Sequence, residues 1–462
     1  MDRQKVAIIG SGLAGLTTAH ILHADPLNRY ALTIFEQAPS LSFDSASVSI
    51  KNNRSNVTER IDLPMRAAAG ALSSSSSSSS TSQHQNQNQE SSTRESEKAA
   101  SVPGCYFVHA SNLHQTPPPW PANRGFLLHV VEILFLIVCQ FWFTAACFLI
   151  PPTTKPKTAD PQGETETENL AEYLERIWLP RRYISHYLLP LMSSVSTCSH
   201  NELLEFPASD VINYKKLSQG QQHYVSRLVE GITDIRLGVR VLNVQPSGQG
   251  VSLKWMSANG TDGKVEEQLF DRVVLAVSPD VAGRIFAPVQ PILSTIPTRQ
   301  VESSVLDLTP GSHTVQPDDS TADSSTGCSH HTSQGNKSQV ITFRTQFSES
   351  GSHTEALHAM PSGVFVQTCP LDPTSEAKGM LQAARFTRTL RTTQSRQAVE
   401  RIMGSKAGRS SSRGTGWVNG EDNVWLTGAW CWDGMVLLEG CIVSAMRVAK
   451  DFGVVIPWEN KA

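Results

Sequence analysis

A chain of 462 residues with 39 basic and 42 acidic side chains, a formal net charge of −3, has no cationic surplus to attract nucleic acid or an acidic polymer, so a small-molecule substrate is the expected partner. That length allows two or three domains and a core large enough to enclose a cofactor without disulfides or metals. Eight cysteines are too sparse for a disulfide scaffold and none stand at zinc-ligand spacing, so free thiols in a reducing, cytoplasmic setting are expected, with no metal site.

The N-terminus passes from MDRQK directly into an apolar strand pattern, with no secretion-signal architecture. Val6 to Ile9 form a continuous apolar run bounded by Gly10. Leu13 to Leu22 carry apolar residues at helical spacing, and Ala31 to Phe35 return to a strand pattern, which together predict a βαβ opening. Past Met65 and Arg66 the composition changes to an unbroken serine run, Ser73 to Ser80, followed by polar residues to about Lys98. So little apolar surface cannot offset the ordering entropy, and residues 71–100 are read as a disordered insertion.

Phe126 to Ile150 is long and apolar enough to be a candidate membrane helix. A single crossing conflicts with topology, because it would place the opening βαβ unit and the closing strand of one domain on opposite sides of a bilayer. In spite of that conflict the span stays open beside two other readings, a helix that dips into or is seated on the membrane surface and a buried, substrate-lining helix, and a greasy helix near the active site suits a lipophilic substrate. Thr165 and Glu168 read as a capping box for a helix with Leu170, Leu174, Ile177 and Trp178 on one face, ended by Pro180. Tyr187 to Met192 continues that bundle. Strands resume at Val239 to Val244, Val251 to Trp255 and Asp271 to Val277, read as a sheet segment rejoining the opening domain. Gly311 to Gln339 is polar and read as a solvated loop in spite of its paired His330 and His331. Val424 to Thr427 forms a last short strand and Leu437 to Phe452 a closing helix.

In VAIIGSGLAGLTTA, Gly10, Gly12 and Gly15 fill G-x-G-x-x-G between a strand and a helix. Gly10 permits the tight turn, Gly12 lets the backbone approach a pyrophosphate, and Gly15 allows close helix-to-strand packing, while the helix N-terminus offers N–H donors. Glu36 ends the second strand about twenty residues beyond the last glycine, where a carboxylate accepts from ribose hydroxyls and disfavours a 2′-phosphate. Strand, glycines, helix, strand and acid in that order predict dinucleotide binding.

This opening motif does not separate FAD from NAD. At the other end, VWLTGAWCWDGMVLLEGCIVSAMRVA reads as strand, turn and helix, and it resembles the C-terminal flavin-binding motif of the flavin-containing amine oxidase superfamily, which includes protoporphyrinogen oxidases and phytoene desaturases. The likeness extends to IDLPMRAAAG, YLLPLM, GQQHYVSRLVEGI with LGVRVLNV, FDRVVLAVSP and RFTRTLRTTQSRQAVERI. It implies an α/β fold: a Rossmann-type FAD-binding domain assembled from residues 1–70, 215–285 and 416–462, with an inserted α+β substrate domain from 101–214 and 286–415, the latter containing the loop 311–339. Carried over, the resemblance implies FAD as cofactor, with Gly10, Gly12, Leu13, Ala14 and Gly15 at the diphosphate and Glu36 at the adenosine ribose. It implies Arg66 near the flavin, Val241 offering backbone groups to adenine, and Gly428 and Ala429 at the ribityl phosphate. Leu437 and Leu438 would point N–H groups at the flavin N1 and C2 carbonyl, where a helix N-terminus stabilises the charge of the reduced ring.

Trp430 and Trp432 read equally as flavin-facing or as packing residues. Two departures stand out. The stretch SLSFDSASVSI follows Glu36 where many members carry a G-G-R segment, and no lysine matches the one that bridges a water to flavin in amine-oxidising members. The implied reaction is hydride transfer from a lipophilic small molecule to flavin N5, with no catalytic side chain assigned. The competing readings are an NAD-linked reductase and a flavin-fold protein without turnover. Membrane-surface contact through 126–150 is carried as an expectation, and the oligomeric state is unassigned.

Overall fold

The computed structural model describes residues 3–39, 41, 47–53, 58–62, 105–109, 114–116, 126–156, 165–217, 228, 231–257, 264–307, 313–316, 339–349, 351–360, 363–371, 379–404 and 416–456. Arg66, the serine-rich insertion and the histidine pair 330–331 lie outside them.

The first strand, β1 (Gln4–Ile9), is followed by helix α1 (Leu13–His23) and strand β2 (Tyr30–Phe35). Val6, Ala7 and Ile8 are wholly buried, the continuous apolar run of a strand covered on both faces rather than an alternating one. Three segments from far along the chain complete the sheet: β3 (Asp234–Arg236), β4 (Arg272–Leu275) and β5 (Val424–Leu426). The order is β5-β4-β1-β2-β3 and every pairing is parallel. In register, Ile9 lies opposite Phe35 on one side and Leu275 on the other, and Leu275 lies opposite Leu426. The carboxyl ends of β1, β2, β4 and β5 are therefore level. The topological switch point, where ligands bind in open parallel sheets, falls at the end of β1.

The strands Val239–Ser247 and Gly250–Ser257 are not members of the parallel sheet. They form an antiparallel sheet of their own with Val265–Phe270, packed onto it through Val241, Val251, Leu253 and Trp255 against Phe35. The strict alternation of buried and half-buried residues along Gly250–Ser257 marks a strand with one covered face, and the short Gly248-Gln249 connection makes it a hairpin. Only β3 and β4 from this region enter the parallel sheet.

A seven-stranded sheet forms the second layer system, in the order Met380–Thr389, Thr298–Leu306, Phe365–Thr368, His353–Ala359, Gln339–Gln346, Cys105–His109, His114–Thr116. His313–Gln316, inside the stretch expected as a loop, is instead a strand paired antiparallel with Ser47–Asn52. Above these lies a helical layer with α2 (Phe126–Leu149), whose inner residues Cys139, Phe143, Ala146 and Cys147 share a core with Leu170, Tyr173 and Leu174. The expected capping box also moves. Asn169 and Glu172 cap the helix Leu170–Arg176, while Thr165 sits in a strand paired with Thr154–Pro156. Glu168 is buried and binds Arg176 and the Thr153 amide. Both acids fit the local pattern; Arg176 decides between them. The closing helix α3 (Leu438–Asp451) packs on α1 through Val448 and Ala449 against Leu16 and Leu22, and Tyr30 donates to the Phe452 carbonyl at 2.5 Å.

Candidate cofactor site

The glycine loop is built as the spacing requires. Gly10 has φ +100°, and a Cβ there would lie 2.5 Å from the Ala276 carbonyl oxygen at the end of β4. At Gly15 a Cβ would fall 2.0 Å from the Gly10 carbonyl oxygen and 3.1 Å from Ala276 Cβ, so α1 can leave the sheet at this angle only without a side chain. Gly12 is the N-cap of α1 in extended backbone, with no side-chain cap, and the first turn holds no acid. The first-turn amides of Leu13, Ala14 and Gly15 have no acceptor within the helix, which makes this end an anion-accepting one.

Glu36 does more than the sequence suggests. Its Oε2 accepts from the Ser11 amide at 2.8 Å and the Ser11 hydroxyl at 2.7 Å, and its Oε1 accepts from the Ala38 amide at 2.8 Å. The acid thus clamps the glycine loop to the end of β2, while Oε1 keeps acceptor capacity for a hydroxyl. Ser11, buried and unremarked in the sequence, is legible only as the middle residue between two motif glycines. The Val239 amide donates to the Glu36 carbonyl at 2.9 Å, which brings the strand bearing Val241 beside this acid. Val241 itself pairs with Trp255, and the ladder shifts register between Val241 and Asn243.

The tail of the chain reaches the same edge. Thr427 extends the β5 ladder by donating to the Leu275 carbonyl at 3.0 Å, and Gly428 follows it. The Ser444 hydroxyl on α3 accepts from the Gly428 amide at 3.0 Å and lies 2.9 Å from the Thr427 hydroxyl oxygen. A Cβ on Gly440 would come within 2.5 Å of both the Ala429 carbonyl oxygen and the Trp432 ring, so α3 presses directly on the turn 428–432. Leu437 is the N-cap of α3, and its amide donates to the Met435 carbonyl at 2.8 Å. Of the two amides assigned to the flavin, that of Leu437 is engaged inside the loop, and Leu438 opens the helix.

Trp430 is buried and donates to the Val277 carbonyl at 3.1 Å, and its ring belongs to the core beneath the sheet, so the packing reading holds for it. Trp432 is half-buried, donating to the Met435 carbonyl at 2.7 Å. Cys431 is fully buried, which pushes its thiol well above the ordinary value and keeps it protonated.

One constellation involves residues that the sequence reading did not single out. Arg391, 1% exposed, donates from Nη2 to the main-chain oxygens of Trp432 at 2.8 Å and Trp430 at 3.2 Å, and its Nε lies 3.6 Å from Asp210 Oδ2. Asp210 is also paired with Arg396 and is completely buried. Burial pushes its carboxyl up to about 6 against the pull of both guanidinium groups. Both arginines lie in the stretch RFTRTLRTTQSRQAVERI, far from Asp210 in sequence, and nothing local says which arginine turns inward. Among the described residues no group of three or more His, Cys, Asp or Glu could hold a metal ion.

Level strand ends, a glycine turn opening α1, and an acid clamped to that turn define a dinucleotide-binding domain of Rossmann type in a mixed α/β protein, suited to FAD or NAD(P). The family model for an NAD(P)-binding Rossmann-like domain matches residues 8–77, which include the glycine loop, α1, β2 and Glu36. Among solved structures, the crystal structure of the CLA-producing fatty acid isomerase from P. acnes is similar at 10% identity, covering 97% of this chain and 99% of that one, with a TM-score of 0.49. No curated protein matches the sequence.

Proposed function

We propose that the dinucleotide is FAD and that the chain is an FAD-dependent oxidoreductase acting on a lipophilic small molecule. The observation that carries this reading is the level register of β1, β4 and β5, which sets Gly10 and Gly428, more than four hundred residues apart in sequence, at one sheet edge. The opening βαβ unit serves the adenosine diphosphate half that FAD and NAD(P) share. The tail adds a second turn and a second helix N-terminus beside it, which suits a longer ligand with a ring at its far end.

In this reading the first turn of α1 holds the diphosphate and Glu36 Oε1 accepts a ribose hydroxyl, while the Glu36 charge repels a 2′-phosphate. Gly428 and Ala429 face the ribityl phosphate, and the Leu438 end of α3 supplies positive dipole where reduced flavin carries charge. Arg391 holds the carbonyls of the intervening turn in place. FAD, when bound, supplies hydride acceptance at N5. The lipophilic substrate is the part of the reading taken from the apolar sequence of α2, whose inner face shares a core with Met435 and Leu437 of the tail turn.

The test is the absorbance spectrum of the purified chain, before and after incubation with FAD, alongside Glu36→Gln. Flavin bands that weaken in the variant support the reading. A chain that stays colourless but binds NADH would make it an NAD-linked protein instead, and bound flavin that no lipophilic reductant bleaches would make it a binding protein.

A further inference from the structure

We propose that α2 docks this protein onto the surface of an anionic lipid bilayer, lying in the interface with its outer face toward the acyl chains. That face carries Leu127, Val131, Leu134, Val138, Phe141 and Leu149, each between 55% and 77% exposed, in one stripe at helical spacing. A soluble protein seldom exposes so long a contiguous apolar surface without something to cover it. The opposite face is core, where Cys139, Phe143, Ala146 and Cys147 are buried. Glu132, the acid on this helix, is turned inward and bound by Arg182 at 2.9 Å and the Tyr187 hydroxyl at 2.5 Å.

The helix cannot be a span. Cys105–His109, before it, and Gln339–Gln346, after it, are neighbouring strands of one sheet, paired Phe107 to Ile341. The chain therefore enters and leaves α2 on the same side of any membrane, and a surface-parallel helix is the arrangement left.

The rim of the stripe has the chemistry of a lipid headgroup layer. Trp142 donates to the Ile177 carbonyl at 2.7 Å and Arg182 reaches Glu132, so the segment 177–182 runs along one flank of α2. On it Trp178 is 87% exposed, with φ +60°, and Arg181 and Arg182 are exposed. Tryptophan favours the membrane–water interface and arginine pairs with phosphate, which selects an anionic lipid surface over a second protein copy as the occupant. The docking itself stands whether or not a flavin binds.

The experiment is co-sedimentation of the full chain with vesicles of phosphatidylcholine, with and without phosphatidylserine. Wild type should sediment with both and more with phosphatidylserine. Leu134→Asp/Phe141→Asp, at exposed sites and with an unchanged circular dichroism spectrum, should lose about tenfold or more in vesicle binding. Arg181→Glu should lose about fivefold, only with phosphatidylserine. Three results would overturn the proposal: no sedimentation of wild type, resistance of bound protein to alkaline carbonate extraction, or a wild-type dimer that the double substitution makes monomeric and that ignores vesicles.

Discussion

The Arg391 guanidinium donates to the Trp432 carbonyl oxygen at 2.8 Å, and through that bond a wholly buried side chain joins the turn closing the parallel sheet to the helical layer that carries Asp210. Removing Arg391 leaves the Trp430 and Trp432 carbonyl oxygens without their buried donor, while Asp210 keeps Arg396 as its partner. Arg391→Met should therefore cost about 1 to 3 kcal/mol of folding stability. Arg391→Lys, which keeps the charge but not the forked geometry, should recover only part of it. Urea denaturation measures both, and a midpoint unchanged in Arg391→Met would show that the cluster is not structural.

Gly15 and Gly248 offer a matched pair. A Cβ at Gly15 meets backbone at 2.0 Å, whereas one at Gly248 meets nothing within 4 Å. Gly15→Ala should destabilise by about 1 to 3 kcal/mol and abolish retention of the dinucleotide, since α1 must shift away from β1. Gly248→Ala should stay within about 0.5 kcal/mol of the parent. Equal behaviour of the two in thermal unfolding would contradict the packing described for α1.

Ser444 holds Gly428 from the side of α3, and both Ser444 and Thr427 are buried. Ser444→Ala leaves the Gly428 amide without its acceptor, at a cost of about 1 to 3 kcal/mol. Hydrogen exchange at the Gly428 amide should accelerate accordingly while exchange in β2 does not; uniform acceleration would mean a global effect instead.

His200 sets a pH dependence. It is 3% exposed, its Nε2 lies 2.8 Å from the Thr354 hydroxyl oxygen, and burial lowers its pKa to about 4, with His353 adding in the same direction. An unfolded histidine protonates near 6.5, so below that pH the unfolded chain binds the extra proton first. The contribution is complete above about 6.5 and is lost as pH falls toward about 4, amounting to about 3 kcal/mol at most. His200→Gln should flatten the stability profile between pH 7 and 4.5, measured as denaturation midpoints; an unaltered slope would place the acid sensitivity elsewhere.

What could be read from the chain alone was whatever local sterics and periodicity dictate. The βαβ opening and the closing strand and helix follow from periodicity within a few residues, and the structure carries them where the pattern set them; the glycine spacing marked Gly10 and Gly15, though the Ala276 backbone that crowds Gly10 comes from far along the chain. Partnership was decided elsewhere. A period-two pattern marks Gly250–Ser257 as a strand without naming its neighbours, and two acids four residues apart compete for one cap until Arg176 binds Glu168. Likewise Ser11 on Glu36, Asp210 on Arg391 and the outward turn of the α2 stripe depend on groups up to hundreds of residues away. Hydrogen-bond partners and burial are properties of the assembled core, and only tertiary packing brings those groups within reach.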